Sequence, residues 1–239
     1  MGKIIIVGLG NKENERLKVI ERLLFKNKVK ILFLEKFLFC EIKNYRKFSK
    51  LYKKKFSKIY VNIWSEIFLK LLKIKKNKKP FLINIVVPEK RILTNLIHFY
   101  EIFRILNGKK FNINLEKLIL CKNRDLYHEG KGEIEFSKNN SKMVIKTKKM
   151  KNTFIFSYQS DFYLKKVTYK AGNIIDLLNK GKKIEFPLAS RVTCKFYEKL
   201  INHKVYKNIF FPKYELIEKS SKTILNNLHY NFKKKVYIT

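Results

Sequence analysis

The sequence predicts an α/β protein of two lobes: an N-terminal parallel, Rossmann-like βαβ sheet, followed by an α+β lobe built on a mixed sheet. Three observations carry this expectation. Residues 3–7, 29–34, 59–63 and 81–87 are short, predominantly apolar runs, the pattern of strands covered on both faces. The segments between them carry apolar residues at helical spacing. From about residue 109 that alternation gives way to short strands separated by turn residues.

Residues 3–7 form the first strand, and 13–27 a helix with Leu17, Ile20, Leu23 and Leu24 on one face. Val29–Leu34 follows as a second strand ending at Glu35. Strand, helix and strand over so short a stretch make a βαβ unit, whose strands run parallel as neighbours. Residues 37–55 read as helix and loop, 59–63 as a strand, and 66–75 as a helix that Ser65 is placed to cap. Phe81–Val87 is an apolar strand closed by Pro88, and Arg91–Leu106 an amphipathic helix ended by Gly108. This gives a parallel-sheet cofactor-type domain over residues 1–108 and a mixed-sheet second domain over 109–239. In the second half, 111–120, 134–136, 143–147, 153–158 and 162–169 read as strands. Residues 123–132 read as a polar loop, 172–180, 189–201 and 216–228 as helices, and 235–238 as a final strand.

The 239 residues suit one large or two small domains, and 46% apolar content excludes a disordered chain. The formal charge of +36 points toward polyanions, RNA or a ribosome among them. It comes from 48 lysines against 7 arginines, however, whereas readers of phosphates and bases favour the arginine fork. Ile, Asn, Phe and Tyr are also abundant and alanine occurs twice, so an AT-rich genome accounts for much of the lysine. Cys40, Cys121 and Cys194 are scattered and fit inert thiols in a reducing compartment. No apolar run reaches the roughly 18 residues of a membrane span, and no signal core precedes the first strand, so a cytoplasmic protein without a membrane partner is expected.

Gly8-Leu9-Gly10 follows the first strand, where a glycine turn lets a ligand approach the backbone. Glu13 stands where the dinucleotide fingerprint has its third glycine, and Glu35 where a ribose-binding carboxylate falls. Gly8, Gly10 and Glu35 thus form one candidate set, for NAD(P)H. No cysteine or histidine spacing supports a metal site, and no residue stands out as catalytic. His128-Glu129, in the expected loop, is the best candidate for loop chemistry. His98 and Trp64 read as structural, and Asp161 and Asp176 as solvated carboxylates. Lys47, Lys50, Lys53, Lys54 and Lys55 interleave with Tyr45, Phe48, Tyr52 and Phe56. That pattern fits either phosphate contacts with base stacking or an amphipathic helix with its aromatics inward.

Ile4–Gly10, the helix after it and Val29–Glu35 resemble the opening of the tetrapyrrole methylase superfamily, which also includes diphthine synthase and an rRNA ribose methyltransferase. The resemblance implies an S-adenosylmethionine cleft, with Gly8 and Gly10 lining the substrate side and Val87, Pro88 and Glu89 facing the cofactor. The family has a glycine-containing turn where this chain has Pro88-Glu89-Lys90, which points to an altered or degenerate site. The leading expectation is therefore an S-adenosylmethionine-dependent methyltransferase (a transferase), acting on RNA or a ribosome-linked substrate. An NAD(P)-dependent reductase and a non-enzymatic basic RNA-binding protein stand as alternatives, and a homodimer is compatible with each.

Overall fold

Isoleucine and valine are stiff at χ1 and favour extended backbone, and their runs here become strands. The computed structural model describes residues 3–7, 15–26, 29–37, 39, 41–56, 58–76, 79–124, 127–151, 153–161, 163–170, 173–185 and 211–238. The expected helix at 189–201 lies outside them. The chain divides into two compact units: residues 1–63, 122–128 and 211–239 form the first, and 64–121 with 129–210 the second.

In the first unit, β1 (Lys3–Val7), α1 (Glu15–Lys26) and β2 (Val29–Leu34) make the expected βαβ. α2 (Ile42–Leu51) and β3 (Lys58–Val61) follow, then α5 (Tyr214–Phe232) from the far end of the chain. The sheet order is β1-β2-β3, all parallel. Leu17 and Ile20 of α1 are buried, as are Phe33, Tyr45, Phe48, Val61 and Tyr214. The basic 45–56 segment resolves in favour of the amphipathic helix. Phe48 packs on Phe39, Phe56 and Tyr214 at 5.6, 6.3 and 4.9 Å between ring centroids. Lys47 pairs with Glu21 at 2.8 Å, Lys53 with Glu215 at 3.1 Å, and the Tyr52 hydroxyl donates to Glu21. Tyr45 and Phe48 are thus core, not a base-stacking platform. The expected strand at 235–238 is irregular backbone instead, tied to His128 through Tyr237.

In the second unit, α3 (Ser65–Leu71), β4 (Leu82–Pro88) and α4 (Ile92–Asn107) precede β5 (Asn112–Asn114), β6 (Leu118–Arg124), β7 (Tyr127–Lys138) and β8 (Ser141–Lys148), the residues of β6 and β7 between 122 and 128 belonging to the first unit. β9 (Thr153–Ser160), β10 (Tyr163–Lys170), β11 (Asn173–Asp176) and β12 (Lys182–Glu185) complete it. The order is β12-β11-β10-β9-β4-β8-β7-β5, with β6 paired to β7. β4 lies parallel to β8 and antiparallel to β9. Phe68 of α3 meets Phe156, and Tyr100 of α4 meets Phe136, so both helices cover one face of this sheet.

Five expectations are corrected here. β4 belongs to this mixed sheet and not to the N-terminal parallel one, because a uniformly apolar strand does not specify its partners and only long-range pairing does. Residues 111–120 form two strands, since the Asn114 side chain accepts from Glu116 N at 2.9 Å and turns the chain between them. Residues 123–132 are mostly strand, not loop. Residues 173–176 are strand β11, with Ile174 buried while Leu177 and Leu178 are exposed in the turn that follows; period two prevails over helical spacing. Ser65 caps nothing: its hydroxyl donates to His98 O at 2.6 Å.

Candidate functional site

The parallel sheet of the first unit aligns three strand ends. Val7 is in register with Leu34, and Leu34 with Val61. Glu35 and Asn62 each follow one of these ends, so the register brings them to the carboxyl edge of one sheet. Ligands of open α/β sheets bind at that edge. Gly8 and Gly10 lie outside the described residues. Glu35 accepts a hydrogen bond from Asn62 Nδ2, and Asn62 N donates to Leu34 O at 2.9 Å. Asn62 is 8% exposed, and its Oδ1 is a buried acceptor with no hydrogen-bond partner among the described residues. A buried acceptor left unpaired costs about 1–3 kcal/mol. A ribose hydroxyl is a donor of the kind that Asn62 Oδ1 lacks and that the Glu35 carboxylate also takes, so the residues present fit a dinucleotide. Asn62 has no motif and went unnoticed in the sequence; the signal that finds it is its place one residue beyond a strand in register with β2.

Val87, Pro88 and Glu89 lie in the second unit, at the end of β4. Val87 is buried at 1% exposure; Glu89 pairs with Lys131 at 3.4 Å, and its N–H donates to Lys148 O at 3.1 Å. Lys90, next in the turn, is exposed and has φ 62°, a left-handed backbone uncommon outside glycine and enriched where function sets the conformation. α4 starts immediately after. Its N-terminal donors are met by Glu129, 1% exposed, which accepts from Leu93 N and Thr94 N at 2.9 Å each and from the Thr94 hydroxyl. A carboxylate there also complements the helix dipole.

His128 and Glu129 therefore form no acid–base pair. Glu129 is consumed as a helix cap, while His128 Nδ1 accepts from Tyr237 N at 3.2 Å and its ring stacks on that of Tyr237. Burial and then the Lys234 charge hold the imidazole below its ordinary 6.5. His98 is buried and stacks on Trp64 at 4.3 Å, the structural role expected of both. Asp161 is an exposed partner of Lys79. Asp176 corrects the expectation of a solvated group: it is 1% exposed and paired with Lys165. Among the described residues no cluster of His, Cys, Asp or Glu is arranged to hold a metal ion, and no helix is long and apolar enough to cross a membrane.

No family model matches the chain, and no curated protein matches it in sequence. Solved structures match in fold. The WlbA dehydrogenase from Bordetella pertussis, crystallised with NADH and UDP-GlcNAcA, is 10% identical with a TM-score of 0.61, over 93% of this chain and 74% of that one. The UDP-N-acetylglucosamine 3-dehydrogenase GnnA from Acidithiobacillus ferrooxidans is 9% identical with a TM-score of 0.62, over 93% and 76%. A Gfo/Idh/MocA family oxidoreductase from Vibrio cholerae is 11% identical with a TM-score of 0.52, over 96% and 79%. These findings correct the tetrapyrrole methylase resemblance, and with it the methyltransferase reading and S-adenosylmethionine as cofactor. The opening strand, glycine turn and βαβ that carried that resemblance are common to nucleotide-binding folds of several kinds. The chain shares its fold, with a parallel βαβ unit and a large mixed sheet, with these oxidoreductase and dehydrogenase structures.

Proposed function

We propose that the chain is a nicotinamide-dependent oxidoreductase whose first unit binds the dinucleotide through Gly8, Gly10, Glu35 and Asn62. The observation that carries this is the edge Val7–Leu34–Val61, with the Glu35 carboxylate and the unsatisfied Asn62 Oδ1 directly beyond it. Structural neighbours with NADH and a sugar nucleotide support the same reading. The cofactor supplies hydride chemistry when bound. The chain's part is to hold the ribose through Glu35 and Asn62 and to let the glycine turn approach the diphosphate. Glu35 is negative where NADPH carries its extra phosphate, so NADH is the preferred form. The net charge of +36 gives any polyanion, RNA included, a salt-sensitive attraction that needs no dedicated site.

Calorimetric titration with NADH and NADPH tests the reading. NADH binds and NADPH binds at least about tenfold more weakly, a difference near 1.4 kcal/mol; Glu35→Ala narrows the gap, and Asn62→Leu weakens both. Absence of heat with either dinucleotide at about 1 mM, a generous excess for a specific site, overturns it.

A further inference from the structure

We propose that the amino edge of the parallel sheet in the first unit is a docking surface for an anionic lipid membrane, which it touches without crossing. β1, α1, β2, α2 and β3 alternate along the chain, so both helices run antiparallel to the strands and end together at that edge. Right-handed crossovers place both helices on one face of the sheet. Lys47 of α2 and Tyr52 just after it both reach Glu21 of α1, so the two helices are neighbours. Two apolar side chains stand in solvent at their shared end. Phe25, one residue before the end of α1, is 91% exposed, and Leu51, the last residue of α2, is 47% exposed.

Cations surround these two groups. Arg22 and Lys50 lie within a turn before them, Lys54 and Lys55 sit in the short turn after α2, and Lys58 opens β3; all five are exposed. The carboxylates nearby are already used, Glu21 by Lys47 at 2.8 Å and Glu215 by Lys53 at 3.1 Å. A lysine near a helix C-terminus complements the dipole, which accounts for Lys50 but not for the bare apolar groups. Nor does the core account for Phe25. Leu17 and Ile20 make the inward stripe of α1, and helical spacing puts Phe25 on the outer side with exposed Lys18 and Arg22. Interfacial surfaces have this composition: cations meet the lipid phosphates, while aromatic and leucine side chains enter the boundary between headgroups and acyl chains. Base stacking needs exposed flat rings; Leu51 has none, and the rings of Tyr45 and Phe48 on α2 are buried. The composition therefore favours lipid over nucleic acid. Glu35 and Asn62 lie at the opposite ends of the strands, so the surface does not rest on the dinucleotide reading.

Flotation of the full chain with lipid vesicles tests it. Vesicles of equal parts phosphatidylcholine and phosphatidylglycerol carry the chain upward, and vesicles of phosphatidylcholine alone do not. F25A/L51A weakens binding to the mixed vesicles by at least about fivefold. The matched variant L164A/Y230A, which removes two comparably exposed groups elsewhere, changes it by less than about twofold. Phe25→Trp gives a second readout that leaves the surface apolar: its emission moves to shorter wavelength on adding the mixed vesicles, while that of the parent chain, from Trp64 in its stack with His98, does not. Glu35→Ala leaves flotation unchanged, which separates this surface from the dinucleotide edge. Equal losses in the two double variants, equal flotation with both kinds of vesicle, or an unmoved Phe25→Trp emission each overturn the proposal in favour of nonspecific adhesion. A single-stranded RNA oligonucleotide whose binding falls in F25A/L51A by the same factor as vesicle binding overturns it in favour of a nucleic-acid surface.

Discussion

Replacing Glu129 tests whether one buried carboxylate sets the start of α4 and hence the Pro88–Lys90 turn. In Glu129→Ala, the amides of Leu93 and Thr94 and the Thr94 hydroxyl all lose their acceptor. Loss of a helix cap costs about 1 kcal/mol. Leu93 is fully buried, so its N–H finds no water and adds about 2 kcal/mol. Thr94 is only half-buried; its amide reaches solvent and its hydroxyl rotates to another acceptor. The expected loss is therefore about 3 kcal/mol, near the upper end for a single substitution. At about 2–4 °C per kcal/mol for a chain of this size, the melting temperature falls by about 6–12 °C. Glu129→Gln keeps one acceptor oxygen without the charge, and charged acceptors bind about twice as strongly as neutral ones; it falls by about half as much. Thermal melting monitored by circular dichroism gives the shift. Hydrogen exchange of the peptide spanning residues 89–97 shows whether the opening of α4 is where protection is lost. A fall below about 2 °C in Glu129→Ala, or equal losses in Ala and Gln, refutes the capping argument.

His128 gives a pH dependence of definite sign. Its folded value lies below the 6.5 of the free side chain, so the unfolded chain binds the extra proton first. The stability this histidine contributes is complete above about pH 6.5 and is lost as pH falls from there toward the folded value. Urea titrations at several pH values should show a steeper acid loss in the wild type than in His128→Asn, which keeps an acceptor for Tyr237 N; parallel curves count against it. Gly132 has φ 119°, and a Cβ there would sit 2.0 Å from Lys117 O. Gly132→Ala therefore costs about 2–3 kcal/mol by backbone strain, read as a lower urea midpoint; an unchanged midpoint contradicts the geometry. Tyr214→Phe removes only the hydroxyl contact with Ser49 at 3.2 Å, worth about 1 kcal/mol. A loss beyond about 3 kcal/mol, the scale of cavity formation, means the ring has repacked.

Much of the fold was legible in the sequence. Isoleucine-rich runs and helical spacing gave β1, α1, β2, β4 and α4, and the parallel pairing of β1 with β2 follows from the short crossover between them. The inward aromatics of α2 were one of two readings its periodicity allowed, and Phe48 packed on Tyr214 decides between them. The candidate site was less legible. Glu35 was visible because it ends a strand, but Asn62 acquires meaning only when β3 is laid in register beside β2. Glu129 looked like a partner for His128; alternation along β7 separates neighbours in sequence, and each found its own partner elsewhere.

By itself the sequence determined the local periods: which stretches are strands or helices, that the first two strands run parallel, and that lysine dominates the surface charge. These depend on residues within a few positions of one another, where sterics and side-chain spacing act directly. Only the tertiary structure decided that β4 sits inside the mixed sheet, that Glu129 closes α4, and that Asp176 is buried against Lys165. Each of those pairings joins residues on different elements of the fold. Their choice among equally apolar or equally charged alternatives is made by packing and hydrogen-bond satisfaction across the whole unit.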